Sequence, residues 1–184
     1  IHVQTLHELI RQERQSEATD YLNRLMEDTV ALNRLLPLAD AAVSAVILSF
    51  QSEAARMGIP MHISIESDLS NIATNTYETN KIIGNLLQNA LDETAQLKDK
   101  SFGIHLSVIK RGEYAVIRVS NRTQNYNAMK DYRIGQSSKN GHEGIGIASI
   151  RALATRYGGV VYARQEDRII HFVAKIPLCL GREK

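Results

Sequence analysis

The sequence predicts an α+β chain: a helical segment over residues 1–57, then an α/β sandwich over 58–184 with its helices on one face of a sheet. Two observations carry this. Residues 1–57 contain no glycine and one proline, Pro37, and their apolar positions recur three and four apart, the period of an amphipathic helix. After Gly58-Ile59-Pro60 the period changes: Met61-His-Ile-Ser-Ile65 alternates strictly, as a strand does, and hairpin strands with interspersed helices follow. That order argues against a doubly wound parallel sheet.

Taken in order, a first helix carries Val3, Leu6, Leu9 and Ile10, with a turn expected in the polar stretch Arg11 to Glu17. A second carries Leu22, Leu25, Met26, Val30, Leu32 and Leu35. Pro37 lacks an N–H that a first helical turn would leave unpaired, so it suits the start of a third helix continued by Ala41 to Met57. Val43 to Phe50 is apolar nearly all round, more than a lone helix can bury, and a partner surface is expected there. Past the boundary, periodicity and breakers place a helix at about 77–97, strands at about 103–110 and 113–120 around a turn at Arg111-Gly112, and an irregular polar segment at 121–142. A helix at about 146–157, the Gly158-Gly159 break and a hairpin over about 160–164 and 168–176 complete the chain.

With 184 residues there is room for one compact α/β domain and a smaller helical piece. The net charge of +2 is carried by scattered basic residues without a phosphate-binding cluster, so nucleic acid is not an expected partner. A single cysteine, Cys179, cannot form an internal disulfide, which fits a reducing compartment. No apolar run approaches the roughly 18 residues of a membrane span. The start, Ile1-His2-Val3-Gln4, has neither an initiator methionine nor a signal peptide, as expected of an excised soluble fragment.

Two elements carry chemistry. On the helix after Tyr77, Ile83, Leu86, Leu87, Ala90 and Leu91 share one face, and Glu78, Lys81, Asn85, Asn89 and Asp92 form a polar stripe on the other. Two amides one turn apart can offer carbonyls to a hydrated Mg²⁺ and to phosphate-bound water; a plain solvated face has the same pattern. Downstream, Gly141, Gly144 and Gly146 precede a helix rich in isoleucine and alanine. Glycines admit an anion close to the backbone, and a helix N-terminus supplies free N–H groups.

In this order, Asn85-Leu-Leu-Gln-Asn89-Ala resembles the N box and Gly144-Ile-Gly-Ile147 the G2 box of the GHKL superfamily, which includes gyrase and histidine kinases. The resemblance covers Met61 to Pro177 and implies a Bergerat-type sandwich that binds ATP with Mg²⁺ beneath a mobile lid, here 121–142. It implies that Asn89 ligates Mg²⁺, that Asn85 and Asp92 belong to the ATP site, and that Gly141, Gly144, Ile145 and Gly146 cradle the phosphates, with Lys139 and His142 beside them. One box departs: where the family has Asp-x-Gly-x-Gly, whose Asp meets the adenine amino group, this chain has Asn121-Arg-Thr-Gln-Asn125. An amide carbonyl accepts the same bond without charge assistance.

A similar loss of that box marks the quorum-sensing and related Gram-positive sensor histidine kinases. Thr5-Leu-His-Glu-Leu-Ile-Arg with Asp20-Tyr-Leu is similar to the segment that follows their phosphoacceptor histidine, so the acceptor is expected just before Ile1. His7-Glu8 matches the start of an acceptor motif, but Arg11 stands where Asn or Thr is usual, and His2 is a weaker candidate still. His62, His105 and His171 lie in strand patterns and are expected to be structural. The resemblance implies transfer of the ATP γ-phosphoryl group to a histidine and on to a response regulator receiver domain, in a homodimer whose helices form a four-helix bundle. It implies a cytoplasmic location, with membrane contact only through an upstream sensor region. A hydrolysing GHKL ATPase and a degenerate, non-enzymatic GHKL module are the competing readings. The first is disfavoured because Asn85 stands where such ATPases carry a glutamate base.

Overall fold

The structure, a computed structural model, describes residues 2–12, 14–22, 35–124 and 145–179, in two compact units, Ile1–Leu36 and Pro37–Lys184. In the first unit α1 spans His2–Arg11 and a second helix, α2, is described over residues 15–22. The break between them falls in the expected polar stretch, where Arg11 and Gln12 donate to Glu8 at 2.8 and 2.9 Å. Leu25, Met26, Val30 and Leu32 lie outside the described residues.

The second unit begins earlier than the 57/58 boundary expected from the sequence, and Asp40 explains why. Pro37 sits in a 3-10 turn, Leu36–Leu38, not in the first turn of the long helix. Ala39 then takes φ 55°, and Asp40 Oδ1 accepts from the Ala42 and Val43 amides at 3.0 Å. This N-cap, worth about 1 kcal/mol over alanine, starts α3 at Ala41–Arg56. Val43, Ile47 and Ala54 are fully buried, and the helix packs on α4 (Thr76–Ala95) and on the first strand. Phe50 reaches Gly84 of α4, where an added Cβ would lie 3.8 Å from its ring. Part of the partner surface expected for Val43 to Phe50 is therefore supplied by the same chain, at Val43 and Ile47, while Val46, Leu48 and Phe50 stay half-buried.

Five strands follow, β1 (Met61–Ile65), β2 (Ile104–Arg111), β3 (Tyr114–Arg122), β4 (Val160–Glu166) and β5 (Ile169–Pro177), in the order β1-β2-β3-β5-β4. β1 and β2 are parallel, joined through α4, and all other pairs are antiparallel. At the entrance to β2, Gly103 has φ +68°, and a Cβ there would lie 2.1 Å from the Pro60 carbonyl that accepts from the Ile104 amide at 2.9 Å. Only glycine lets the two parallel strands start side by side at that point.

Alternation along β3 separates the faces of the sheet. Ala115, Ile117, Val119 and Asn121 are buried beneath the helices, while Arg118 on the opposite face is exposed. α4 and α5 (Ile145–Arg156) cover the buried face, and Ile82, Ile83, Leu86, Leu87, Ala90 and Leu91 of α4 fill the core. The start of α4 is fixed by a capping box: Asn75 Oδ1 accepts from the Glu78 amide at 2.9 Å, and the Glu78 carboxylate accepts from the Asn75 amide at 3.2 Å. The observed elements agree with the α+β sandwich read from the sequence.

Candidate functional site

α4 and α5 meet along one side of the sheet, and their contact brings the two sequence elements together. Asn85 Nδ2 donates to the Lys81 carbonyl at 2.7 Å, which fixes the amide and leaves Oδ1 turned toward α5. There, the Cβ that Gly146 lacks would lie 2.6 Å from Oδ1. Gly146 stands within the first turn of α5 and not in a loop ahead of it, so its missing side chain serves the close approach of two helices. The N-terminal turn of α5 thus lies beside Asn85, and the amides of a helix's first turn have no acceptor within the helix itself, as an anion site requires.

One turn beyond Asn85, Asn89 is half-buried and makes no side-chain hydrogen bond among the described residues. Asp92 is half-buried and accepts from Gln88 at 2.9 Å. Lys81, Asn85, Asn89 and Asp92 keep the expected outward stripe, but Glu78 does not. Its side chain is buried, accepting from the Tyr157 hydroxyl at 2.6 Å and from Arg156 at the end of α5. The Tyr157 bond, with the Asn75 amide and Arg156, holds this carboxyl below the usual carboxylate range against the opposing cost of burial. The register of the stripe alone cannot show this, because the partners lie 78 and 79 residues away.

Asn121 ends the buried side of β3, opposite Ile104 and Ile170. It is fully buried; Nδ2 donates to the Arg122 carbonyl at 2.8 Å, while Oδ1 has no partner among the described residues. An unpaired buried acceptor costs about 1–3 kcal/mol, which a ligand donor would relieve. Just beyond it, Thr123 Oγ1 donates to Glu93 Oε1 at 2.7 Å, tying the strand end to α4 one turn past Asn89. Sequence reasoning missed this pair for want of any local signal. Lys139, Gly141, His142 and Gly144 lie outside the described residues, as does the side chain of Ile145.

His7 is exposed on α1. His62 and His105 stack with ring centroids 4.5 Å apart, and His171 Nδ1 lies 2.7 Å from Ser120 Oγ, on the face of the sheet away from the helices. Cys179 is exposed. No described helix is long and apolar enough to cross a membrane.

Solved structures share this fold. The catalytic domain of the histidine kinase ThkA, in a nucleotide-free form, is 15% identical with a TM-score of 0.61, covering 77% of this chain and 92% of that one. Full-length ShkA in complex with AMPPNP is 18% identical with a TM-score of 0.60, over 90% of this chain and 39% of that one. The Acinetobacter baumannii histidine kinase AdeS is 11% identical with a TM-score of 0.56, over 97% and 95%. No curated protein matches the chain in sequence. Residues 74–178, which carry Asn85, Asn89, Asn121 and Gly146, match the GHKL domain, and with more than half its length so matched the chain belongs to that family.

Proposed function

We propose that this chain is the catalytic portion of a sensor histidine kinase: it binds ATP with Mg²⁺ between α4 and α5 and transfers the γ-phosphoryl group to a histidine. The observation that carries the reading is the convergence of Asn85 and Gly146, on the side of the sheet where Asn121 holds an unpaired buried acceptor. The likeness to ShkA, solved with AMPPNP, supports the same reading.

In this proposal Asn121 Oδ1 accepts the adenine amino group, and the amides of the first turn of α5 bind phosphate oxygens. Lys139, Gly141, His142, Gly144 and Ile145 contribute to phosphate binding, and Asp92 belongs to the same site. Asn89, whose amide is uncommitted, would hold Mg²⁺, with Asn85 beside its hydration shell. The ion supplies charge neutralisation at the transferred phosphoryl group. Asn85 keeps its Nδ2 bonded to Lys81 and has no basic atom to take a proton from water, which favours transfer over hydrolysis.

The acceptor is a histidine upstream of Ile1, in a homodimer held by the first unit, with a response regulator receiver domain as the next recipient. The chain belongs on the cytoplasmic side of a membrane-anchored sensor of the Gram-positive quorum-sensing type. Calorimetry with AMPPNP, with and without Mg²⁺, tests the site. Wild type binds more tightly with the metal, and Asn89→Ala loses that increment while the fold is kept. Absence of nucleotide binding in the wild type would leave the non-enzymatic GHKL module as the better account, which the replacement of the family Asp by Asn121 favours.

A further inference from the structure

On the face of the sheet turned away from α4 and α5, register places side chains in rows across the strands. Arg111, Tyr114 and Pro177 form one row; Ile109, Val116, Lys175 and Val160 the next; Ser107, Arg118, Val173 and Tyr162 the third; His105, Ser120, His171 and Arg164 the fourth. Most of these side chains line a groove of about 300 Å³.

Its composition is uneven in a specific way. The floor is apolar and recessed, with Val116 and Val173 at 8% and 6% exposure, whereas Val160 and Tyr162 stand up beside it at 51% and 36%. Four fixed cations, Arg111, Arg118, Arg164 and Lys175, surround the floor, against one lining carboxylate, Glu166. That carboxylate is already paired with Arg164 at 2.8 Å. Lys175 lies over the Tyr162 ring, 5.6 Å from its centroid. Arg111 and Arg118 have no ion-pair partner among the described residues.

The cations step from the first row to the fourth, six residues along the strands or roughly 20 Å. One phosphate or carboxylate cannot satisfy charges so far apart. A bilayer is flat and would meet the cations and Tyr162 without reaching Val116 or Val173. A peptide segment satisfies both demands, because its apolar side chains enter the groove while its carboxylates meet the rim.

We propose that this open face of the sheet docks an acidic, apolar-studded segment of a partner protein, with apolar side chains over Val116 and Val173 and carboxylates on Arg111, Arg118 and Lys175. The surface lies across the sheet from the nucleotide site and is independent of the reading given to that site. Charged rims of this kind set partner choice and association rate more than they set affinity.

Fluorescence anisotropy of the whole chain with a labelled short peptide alternating Glu and Leu tests the proposal. Peptides with Gln in place of Glu, or Ser in place of Leu, and phosphatidylserine vesicles serve as comparisons. The Glu–Leu peptide should bind, weaken with added salt, and lose about tenfold in affinity when Arg118→Glu and Lys175→Glu are combined. Both altered peptides should bind far less. Arg111→Glu, at the exposed end of β2, should weaken binding with an unchanged circular dichroism spectrum, which keeps the test valid if the double variant unfolds. Equal binding of the Gln peptide, indifference to the three substitutions, or vesicle binding in place of peptide binding would each overturn the proposal.

Discussion

Gly146 and Asn85 occupy each other's space: a Cβ on the one would lie 2.6 Å from Oδ1 of the other. The contact decides the sign of a substitution that helix propensity alone would misjudge.

Alanine in a helix is favoured over glycine by about 1 kcal/mol, so Gly146→Ala should leave α5 at least as stable locally. The added methyl must move Asn85, however, and with it the bond from Nδ2 to Lys81. We expect Gly146→Ala to weaken AMPPNP binding markedly with little change in melting temperature. In an Asn85→Ala background the same substitution should add little further loss, because the atom it collides with is gone. A double-mutant cycle by calorimetry measures the coupling, and strictly additive losses would show that the two residues act separately.

The position of α3 yields a second prediction. A chain beginning at Gly58 lacks Val43, Ile47 and Ala54, each fully buried in the second unit, and should not fold cooperatively. A chain beginning at Pro37 retains them and the Asp40 cap, and should fold as a monomer if the first unit holds the proposed dimer. Within it, Ile47→Ala should cost about 3 kcal/mol, read from the urea midpoint. Light scattering and denaturation together separate assembly from folding.

These two cases also mark how far the sequence could be read. The alternation of Met61 to Ile65, the hairpins and both chemistry-bearing helices were legible because period and glycine breaks are local properties. The unit boundary was not. It depends on Asp40 capping α3 after Ala39 turns with positive φ, and on Phe50 meeting Gly84, which is a tertiary contact. Asn85 and Asn89 were legible as a stripe, whereas Glu78 shares that stripe and is buried, because Arg156 and Tyr157 come to it from another helix. Periodicity assigns a face; it does not say what covers it.

Two histidines on the open face of the sheet give a pH dependence. Burial is the main cause holding His105 below the ordinary histidine range; the Phe102 carbonyl opposes it and His62 adds to it. Burial also dominates at His171, with Glu166 opposing and Arg118 and Arg164 reinforcing. Above the ordinary value of about 6.5 both histidines are neutral, folded or unfolded, and their contribution to stability is complete. As the pH falls the unfolded chain takes up protons that the folded chain resists, so stability drops until the lower folded values are passed. The urea midpoint should therefore decline as the pH falls through about 6.5. Arg118→Gln should raise the His171 titration midpoint followed by NMR, and an unchanged midpoint would remove the arginine from the account.

Asn121 carries the last prediction. Its amide does two jobs: Nδ2 donates to the Arg122 carbonyl at 2.8 Å, and Oδ1 is buried with no partner among the described residues. Asn121→Ala removes both and should abolish any preference for ATP over GTP, since guanine presents a carbonyl where adenine presents an amino group. Asn121→Asp would seem to restore the family residue, but an ionised carboxylate would set an oxygen against the Arg122 carbonyl in a fully buried position. The loss of that donor should cost about 1–3 kcal/mol at neutral pH. Stability should recover as the pH falls, because a protonated carboxyl can donate to the carbonyl as the amide does. Melting curves against pH read the first effect, and competition between ATP and GTP for bound AMPPNP reads the second. If Asn121→Ala leaves the ATP-to-GTP ratio unchanged, Asn121 does not meet the base, and its free Oδ1 needs another explanation.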